Sequence, residues 1–378
     1  MELRHSGDTA RTAMTNPLAR DLKHVLEHTG DVWSHLQGAR IFVTGGTGFF
    51  GCWLLESFAW ACDRLPLDAS LTVLTRSPEA FRRKAPHLAA HPAIHLIQGD
   101  IRSFPFPAGH FSHVIHGATA ASATLNREQP LLMLDTIVNG TRRALDFAAA
   151  AQAQRFLMIG SGAVYGPQPP ETARVPETYG GGPDPTDPRS VYAEAKRLAE
   201  LLCALYSRIH GLACPIARCF AFVGPYLPLD AHFAIGNFMG DCLNQRPIEI
   251  SGDGTPYRSY LYAADLTIWL WTILTRGESC RPYNVGSERE LSIARLAATV
   301  AAELEPSTAI RVMGLPRPGA PPERYVPDTG RARLELGLRE WVPLEEAIRR
   351  TAEWHAPAAL PSGMLRSKPA VETAGATT

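Results

Sequence analysis

The sequence has no excess of charge of either sign, which excludes several kinds of partner. Its 378 residues include 37 Lys and Arg and 37 Asp and Glu, so the formal net charge is zero. Without a basic stripe we expect no nucleic-acid partner. No apolar run approaches the ~20 residues of a membrane helix, and the polar N-terminus lacks a signal-peptide core. We therefore expect a cytoplasmic protein with no membrane partner.

Cysteine is scarce and scattered through the chain. The seven cysteines are odd in number and form no Cys-x-x-Cys pair. Disulfide frameworks and zinc sites use regularly spaced thiols, so neither is expected. Isolated buried thiols in a reducing cytoplasm fit the pattern better. The sequence predicts no metal site.

Short apolar segments alternate with helical patterns from Ile41 to about Phe222. This alternation is typical of a doubly wound parallel sheet. After about Gly224 the pattern becomes irregular, which indicates a second, smaller unit. The segment 17–36 has apolar residues at helical spacing and is predicted to form one extra helix on the core. The segment 356–378 is rich in Pro, Ala and Thr and is predicted to be a disordered tail.

A glycine-rich turn lies between an apolar strand and an apolar helix near the start of this alternation. The strand is Ile41–Val43, the turn contains Gly45, Gly48 and Gly51, and the helix runs from Trp53 onward. Glycines at these places permit a tight turn, close approach of backbone amides to a pyrophosphate, and close packing of helix on strand. The phosphates would lie at the helix N-terminus. The segment is predicted to bind a dinucleotide.

Tyr192 and Lys196 are four residues apart on a predicted helix and so share one face. A free phenol has a pKa of about 10 and is a poor base near neutrality. A nearby ammonium favours the phenolate, so we expect Lys196 to lower the pKa of Tyr192. Such a Tyr could exchange a proton with an alcohol while a hydride moves elsewhere.

The spacing Gly-x-x-Gly-x-x-Gly followed by Tyr-x-x-x-Lys resembles the extended branch of the short-chain dehydrogenase/reductase superfamily, which includes nucleotide-sugar epimerases, dehydratases and reductases. The resemblance covers about 39–354. It implies an α/β fold, a Rossmann-type doubly wound parallel sheet with a smaller C-terminal α/β substrate domain. The expected boundaries are 1–38 for the N-terminal tail and extra helix, 39–223 for the Rossmann NAD(P)-binding domain with parts of 256–290 returning to it, 224–355 for a mainly substrate-binding domain, and 356–378 for the tail.

The same resemblance implies residue roles. Ser161 follows the strand Phe156–Ile159 and matches the family's serine that hydrogen-bonds the reacting oxygen; with Tyr192 and Lys196 it would form the catalytic group. The family's further Asn position is occupied by Ile137, and Asn139 lies two residues later; neither is assigned a role. The implied cofactor-binding residues are Gly45, Thr47, Gly48, Phe49, Phe50, Gly51, Thr75, Arg76, Asp100, Ile101, Ala118, Tyr192 and Lys196.

The resemblance also implies a nucleotide-diphosphate sugar as substrate. Arg258 and Arg317 match positions that clamp the diphosphate, a task suited to bidentate guanidinium contacts. Arg324 is a weaker third candidate. The other implied substrate-binding residues are Thr119 and Asn237. Relatives often have Asn where Ala221 stands.

The residue at position 163 limits which reactions of the family can be expected. In the family's 4,6-dehydratases and decarboxylases an acidic residue lies two positions after the catalytic Ser or Thr, and here that position is Ala163. A methyl group cannot move a proton, so elimination is disfavoured. Epimerisation at C4 through a transient 4-ketone, or reduction of a ketone supplied by another enzyme, remains.

The cofactor is NAD or NADP. NAD-specific relatives usually end the second strand with an acidic residue on the ribose diol. This chain has Thr75 there, followed by Arg76, with Arg82, Arg83 and Lys84 nearby. An Arg can pair with a 2′-phosphate, which favours NADP slightly, but it can also stack on adenine in an NAD enzyme.

We therefore expect an NAD(P)-dependent nucleotide-sugar 4-epimerase. The alternatives are an NADPH-dependent 4-keto-sugar reductase, a 4,6-dehydratase with a displaced acid, and a non-catalytic dinucleotide sensor. The helices at about 129–151 and 191–209 correspond to those that form the family's dimer interface, so the resemblance implies a homodimer.

Overall fold

A seven-stranded parallel sheet forms the centre of the molecule. The computed structural model describes residues 16–119, 123–231, 233–316 and 318–356. Across the sheet the strands lie in the order β3 (Ile94–Gln98), β2 (Ser70–Thr75), β1 (Arg40–Thr44), β4 (His113–His116), β5 (Arg155–Ser161), β6 (Ile216–Cys219) and β11 (Pro282–Val285). The predicted α/β class and Rossmann-type sheet are confirmed. The predicted disordered tail lies, apart from residue 356, outside the described residues.

Three smaller sheets accompany the central sheet in the described part of the chain. They consist of β7 (Phe222–Val223) with β10 (Leu261–Tyr262), β8 (Ile248–Ile250) with β13 (Ile310–Val312), and β9 (Tyr257–Arg258) between β12 (Leu291–Ser292) and β14 (Arg324–Tyr325). Their strands all follow β6 in the chain, and the same part of the chain returns β11 to the central sheet.

Helices cover both faces of the central sheet. Within the described ranges they are α1 (Ala19–His28), α2 (Gly30–Ser34), α3 (Phe49–Cys62), α4 (Pro78–Lys84), α5 (Pro86–Ala89), α6 (Ala123–Glu128), α7 (Pro130–Ala150), α8 (Val191–His210), α9 (Ala234–Leu243), α10 (Ala263–Arg276), α11 (Ile293–Leu304), α12 (Gly330–Leu336) and α13 (Leu344–His355). None of them is long and apolar enough to cross a membrane.

Alternation along β1 explains why the sheet is covered on both sides. Ile41 and Val43 belong to one apolar cluster, whereas Phe42 belongs to another that includes side chains of α7 and α8. Successive side chains of a strand point to opposite faces, so a strand that is apolar throughout needs helices on each face. All three residues are buried.

Two helices, rather than the single predicted one, precede the sheet. Thr29 separates α1 from α2; its hydroxyl donates to the carbonyl of Val25 at 2.6 Å and accepts from the indole of Trp33 at 2.8 Å. A side chain that bonds the backbone in this way competes with helix continuation. The pair packs on α10, with the rings of Trp33 and Trp271 at 5.3 Å.

Candidate active site

A cleft of about 1130 Å³ opens where the strands of the central sheet end. Ligands of doubly wound folds bind outside the carboxyl ends of the strands, at a point where the strand order reverses. Here that point lies between β1 and β4, because the chain adds β2 and β3 on one side of β1 before it crosses to β4. The cleft continues from the glycine turn after β1 to the small sheets that contain β9 and β14.

Backbone geometry at the glycine turn excludes larger residues. Gly45 has φ +75°, and a Cβ placed there would lie 2.5 Å from the carbonyl carbon of Gly117. A Cβ on Gly51 would lie 2.3 Å from the backbone of Gly46, so the first turn of α3 packs tightly on the turn that follows β1. Gly48 precedes the first residue of α3, whose free amides face the cleft. The turn therefore leaves the room that a pyrophosphate needs at a helix N-terminus.

Basic side chains surround the far end of the turn. Lys84 donates from Nζ to the carbonyl of Thr47 at 2.9 Å, and Arg76 lines the cleft with an exposed side chain. Thr75 is buried at the end of β2. Asp100 pairs with Arg102 at 2.8 Å, and that bond lowers the pKa of Asp100. Among the described lining residues, Asp100 is the only carboxylate.

A buried histidine that the sequence analysis did not single out stabilises the strand ends beneath the cleft. His116 ends β4, with Nδ1 at 2.8 Å from Oγ1 of Thr44 and Nε2 at 3.0 Å from Oγ1 of Thr141. Burial lowers the pKa of His116 to about 3, so the ring is neutral. Thr44 also accepts from the amide of Ala118 at 3.2 Å. These bonds tie the ends of β1 and β4 to α7.

The structure brings Ser161, Tyr192 and Lys196 to the same part of the cleft. Ser161 ends β5, and its Oγ accepts from the amide of Ala163 at 3.1 Å. Tyr192 lies in the first turn of α8 and is half-buried. Lys196 is fully buried and donates from Nζ to the carbonyl of Ile159 at 3.1 Å. Burial lowers the pKa of Lys196 to about 8.

In this structure the pKa of Tyr192 lies above its usual value. Burial raises the pKa of Tyr192, and the hydrogen bond from Ser161 opposes this rise only in part. Desolvation disfavours a phenolate, and the ammonium of Lys196 donates to a backbone carbonyl. The helical spacing predicted that both side chains share one face of α8, but it could not predict that burial disfavours the ionised phenol.

Carboxylates near this part of the cleft are occupied elsewhere. Glu200 pairs with Arg218 through two contacts of 2.9 and 2.7 Å, and Glu177 accepts from the amide of Asn284 at 2.8 Å. Neither lines the cleft. Ala163 contributes its amide to Ser161 and no acid. Among the described residues, no carboxylate replaces the acid that an elimination requires.

Some of the remaining predicted residues line the cleft and others do not. Thr119 and Arg258 line the cleft; Oγ1 of Thr119 is buried and lacks a hydrogen-bond partner among the described residues. Arg258 donates to the carbonyl of Tyr257 at 2.8 Å. The exposed Asn237 does not line the cleft, although the preceding turn of α9 does. Arg317 lies outside the described residues. The other predicted residues that line the cleft are Phe49, Phe50, Ile101 and Ala118; Ala221, which stands where relatives often have Asn, also lines it.

The last strand of the small sheets supplies a residue that the sequence analysis missed. Tyr325 lines the cleft, whereas the predicted candidate Arg324 beside it pairs with Glu290 and covers the ring of Tyr257 at 4.4 Å. Alternation along β14 explains the difference, because adjacent residues of a strand face opposite sides. A two-residue strand gives no periodicity that could have identified Tyr325.

Known proteins resemble this chain in sequence and in structure. Residues 41–286 match the NAD dependent epimerase/dehydratase family. UDP-glucuronic acid decarboxylase 1 of Arabidopsis thaliana is 31% identical over 311 residues, which cover 82% of this chain and 68% of that protein. UDP-glucuronic acid decarboxylase 3 of the same plant is 31% identical over 313 residues, covering 81% and 88%.

Solved structures share the fold. A dTDP-glucose 4,6-dehydratase from Streptomyces venezuelae with NAD bound has a TM-score of 0.71 at 24% identity, covering 84% of this chain and 96% of that one. A UDP-glucose 4-epimerase from Thermus thermophilus in complex with NAD has a TM-score of 0.69 at 24% identity, covering 85% and 100%.

Proposed function

The chain belongs to the NAD dependent epimerase/dehydratase family, and from that membership we propose that it epimerises a nucleotide-diphosphate sugar at C4. The observation that carries this proposal is the combination of Ser161, Tyr192 and Lys196 in one cleft with Ala163 at the acid position. NAD(P), when bound, accepts a hydride from the sugar and returns it. The glycine turn from Gly45 to Gly51 would hold its pyrophosphate, because added Cβ atoms would fill that space.

In this proposal Tyr192 removes the proton of the C4 hydroxyl and later returns it to the same oxygen after the keto sugar has turned over. Ser161 hydrogen-bonds the same oxygen as charge develops there. Lys196 would supply a buried positive charge to the same cleft. A 4-keto sugar that rotates before the hydride returns gives the epimer. These steps need no carboxylate, which fits the described lining of the cleft.

Recognition of the diphosphate would fall to Arg258, with Arg317 as its proposed second clamp. The side chain of Arg258 is 29% exposed and lies 3.8 Å from the exposed carboxylate of Glu323, so it can turn toward a phosphate at small cost. The unpartnered hydroxyl of Thr119 supports a contact with the sugar. Buried polar atoms without partners are costly, and a sugar hydroxyl would satisfy this one.

We propose NADP as the slightly favoured cofactor. No carboxylate ends β2, where one would repel a 2′-phosphate, and Arg76 and Lys84 lie beside the turn. Asp100 is already paired with Arg102. A preference for NADP is also consistent with the alternative function, an NADPH-dependent 4-keto-sugar reductase. Such an enzyme would use the same residues and release the oxidised cofactor.

A uronic acid decarboxylase is a second candidate, favoured by the names of the relatives at 31% identity. Oxidation of a uronic acid at C4 would produce a β-keto acid, which can lose carbon dioxide; a proton at C5 and return of the hydride to C4 would then give the pentose. Ala163 stands where the family's decarboxylases carry an acid, which ranks this candidate second. The same Tyr192 and Ser161 would serve the oxidation.

Product analysis separates these candidates. The protein is incubated with UDP-glucose, UDP-galactose and UDP-glucuronic acid in turn, with NAD or NADP, and the sugars are identified by nuclear magnetic resonance. The proposal predicts interconversion of C4 epimers without net change in nicotinamide absorbance. Release of carbon dioxide and a UDP-pentose would establish the decarboxylase, and a 4-keto-6-deoxy product would refute the interpretation of Ala163.

A further inference from the structure

We propose that Tyr325 is a positioning residue whose hydroxyl donates to Ser161 and thereby directs the Ser161 proton toward Tyr192. The inference rests on the proposed acid/base role of Tyr192. It assigns a function to a second phenol in the cleft, which the first mechanism leaves unused.

Backbone pairing places the Tyr325 hydroxyl beside Ser161. The hydroxyl lies 3.5 Å from the carbonyl oxygen of Cys219. Cys219 is the cross-strand partner of Ser161 in the pairing of β5 with β6. Since paired residues are neighbours across a ladder, the phenol reaches the end of β5 where the Ser161 hydroxyl projects. Tyr325, Ser161 and Tyr192 all line the cleft.

Packing holds the phenol in this position. The rings of Tyr325 and Phe220 lie 4.6 Å apart. The ring of Phe220 also packs against Gly162, because a Cβ added to that glycine would lie only 2.6 Å from the ring. Phe220 therefore contacts the turn that follows Ser161. On the other side, the guanidinium of Arg258 lies 5.9 Å from the Tyr325 ring centre. One aromatic side chain therefore fixes Tyr325 relative to the Ser161 turn.

The number of protons available gives the direction of the hydrogen bonds. Ser161 has one proton and two lone pairs on its hydroxyl, and the amide of Ala163 occupies one lone pair at 3.1 Å. Ser161 lies near enough to both Tyr192 and Tyr325 for its hydroxyl to lower the pKa of either phenol by hydrogen bonding. A single proton can serve one phenol at a time, and a phenolate is a stronger acceptor than a neutral phenol.

When Tyr192 is ionised, Ser161 therefore donates to Tyr192. Burial raises the pKa of Tyr325, so this second phenol stays neutral and has a proton to donate. Its alternative acceptor, the Cys219 carbonyl, lies at 3.5 Å, the outer limit of a useful hydrogen bond. The free lone pair of Ser161 is the better acceptor. The resulting chain runs from Tyr325 to Ser161 to Tyr192, and each bond strengthens the next.

Other charged or titratable groups face the two phenols from three elements. Cys219 on β6 and Arg258 on β9 act on the phenols directly, and Lys196 on α8 lines the same cleft and acts on Cys219. Burial raises the pKa of the Cys219 thiol to about 12, so it carries no charge near neutrality. All three are retained when Tyr325 is changed, so a difference between the wild type and a Tyr325 variant isolates the hydroxyl.

The test is Tyr325→Phe, which keeps the ring and removes the hydroxyl. The pKa of Tyr192 is measured as tyrosinate absorbance, each protein being compared with the same protein carrying Tyr192→Phe. Loss of one neutral hydrogen bond should raise that pKa by about 0.5 to 1 unit. The acid limb of the pH profile of kcat should move by the same amount, with KM changed by less than about twofold.

Three comparisons make the result decisive. Tyr283→Phe removes a phenol hydroxyl that accepts from the amide of Glu278 at 3.2 Å outside the cleft, and should leave the pKa of Tyr192 unchanged. In a Ser161→Ala background, Tyr325→Phe should have no further effect, because the chain is already broken. Thermal unfolding checks that the variants are folded, and Tyr325→Leu should shift the pKa in the same direction.

An unchanged or lowered pKa of Tyr192 in Tyr325→Phe would overturn the proposal, as would a shift that persists without Ser161. The absorbance titration uses no sugar. If no nucleotide sugar is turned over but the pKa shift is found, the proposed 4-epimerase fails and the hydrogen-bond chain stands.

Discussion

The ammonium of Lys196 donates to the carbonyl of Ile159 at 3.1 Å, so helix α8 is tied to the strand that ends in Ser161. This bond fixes the spacing between the two elements that carry the proposed catalytic side chains. It also compensates part of the cost of burying a charge.

The first prediction concerns pH and stability. The pKa of Lys196 is lowered from 10.5 to about 8 in the folded protein. Between these values the unfolded chain binds more protons, so the free energy of unfolding rises with pH. Relative to Lys196→Met, the wild type should gain at most roughly 3 kcal/mol between about pH 8 and pH 10 in urea unfolding. A difference that stays flat or falls would show that Lys196 is not desolvated.

The second prediction concerns the glycine turn. Gly51→Ala places a Cβ 2.3 Å from the backbone of Gly46, so α3 must move away from the turn that follows β1. We expect a lower melting temperature and cofactor binding weakened by about tenfold or more, measured by nicotinamide fluorescence. Gly30→Ala is the matched control, because a Cβ there meets no atom within 4 Å. Equal behaviour of the two variants would contradict the proposed pyrophosphate site.

The third prediction concerns cofactor choice. Arg76→Ala should weaken NADP binding by about tenfold or more, since a charge-assisted contact to the 2′-phosphate is lost, and change NAD binding by less than about threefold. Arg83→Ala, whose side chain is 71% exposed and 3.9 Å from Glu79, is the control. Isothermal titration with each cofactor measures both constants. Equal losses for NAD and NADP would indicate that Arg76 stacks on adenine instead.

The fourth prediction concerns assembly. The outer face of α8 exposes the apolar side chains of Leu198, Leu201, Leu205 and Ile209, and α7 beside it exposes Leu131. An apolar stripe of this kind on a helix pair is typical of an interface, and we propose that it forms a homodimer. Leu201→Glu should give a monomer by light scattering at micromolar concentration. Leu334→Glu, at an 84% exposed site on α12, should keep the dimer; a monomeric wild type would refute the proposal.

Most of the correct predictions came from the spacing of residues within short segments of the sequence. The glycine turn and the Tyr192–Lys196 pair lie within short segments whose geometry follows from helix and strand periods, and Ser161 directly follows an apolar strand. Tyr325 and His116 were missed because their contacts join elements far apart in the chain. The raised pKa of Tyr192 depends on burial that only the packed cleft reveals. Asn237 faces away because it lies two positions after Ile235, the last residue of α9 that lines the cleft, and two helical positions turn a side chain by about 200°.

The central claim is that a hydride leaves C4 of the sugar and returns to it, with Tyr192 exchanging the proton. The most direct test uses a nucleotide sugar with deuterium at C4, with the wild type and Tyr192→Phe compared by mass spectrometry and nuclear magnetic resonance. We predict a C4 epimer that retains its deuterium with the wild type, and turnover reduced by about a hundredfold or more in the variant. Loss of deuterium from the epimer, or near-normal turnover by Tyr192→Phe, would contradict the account.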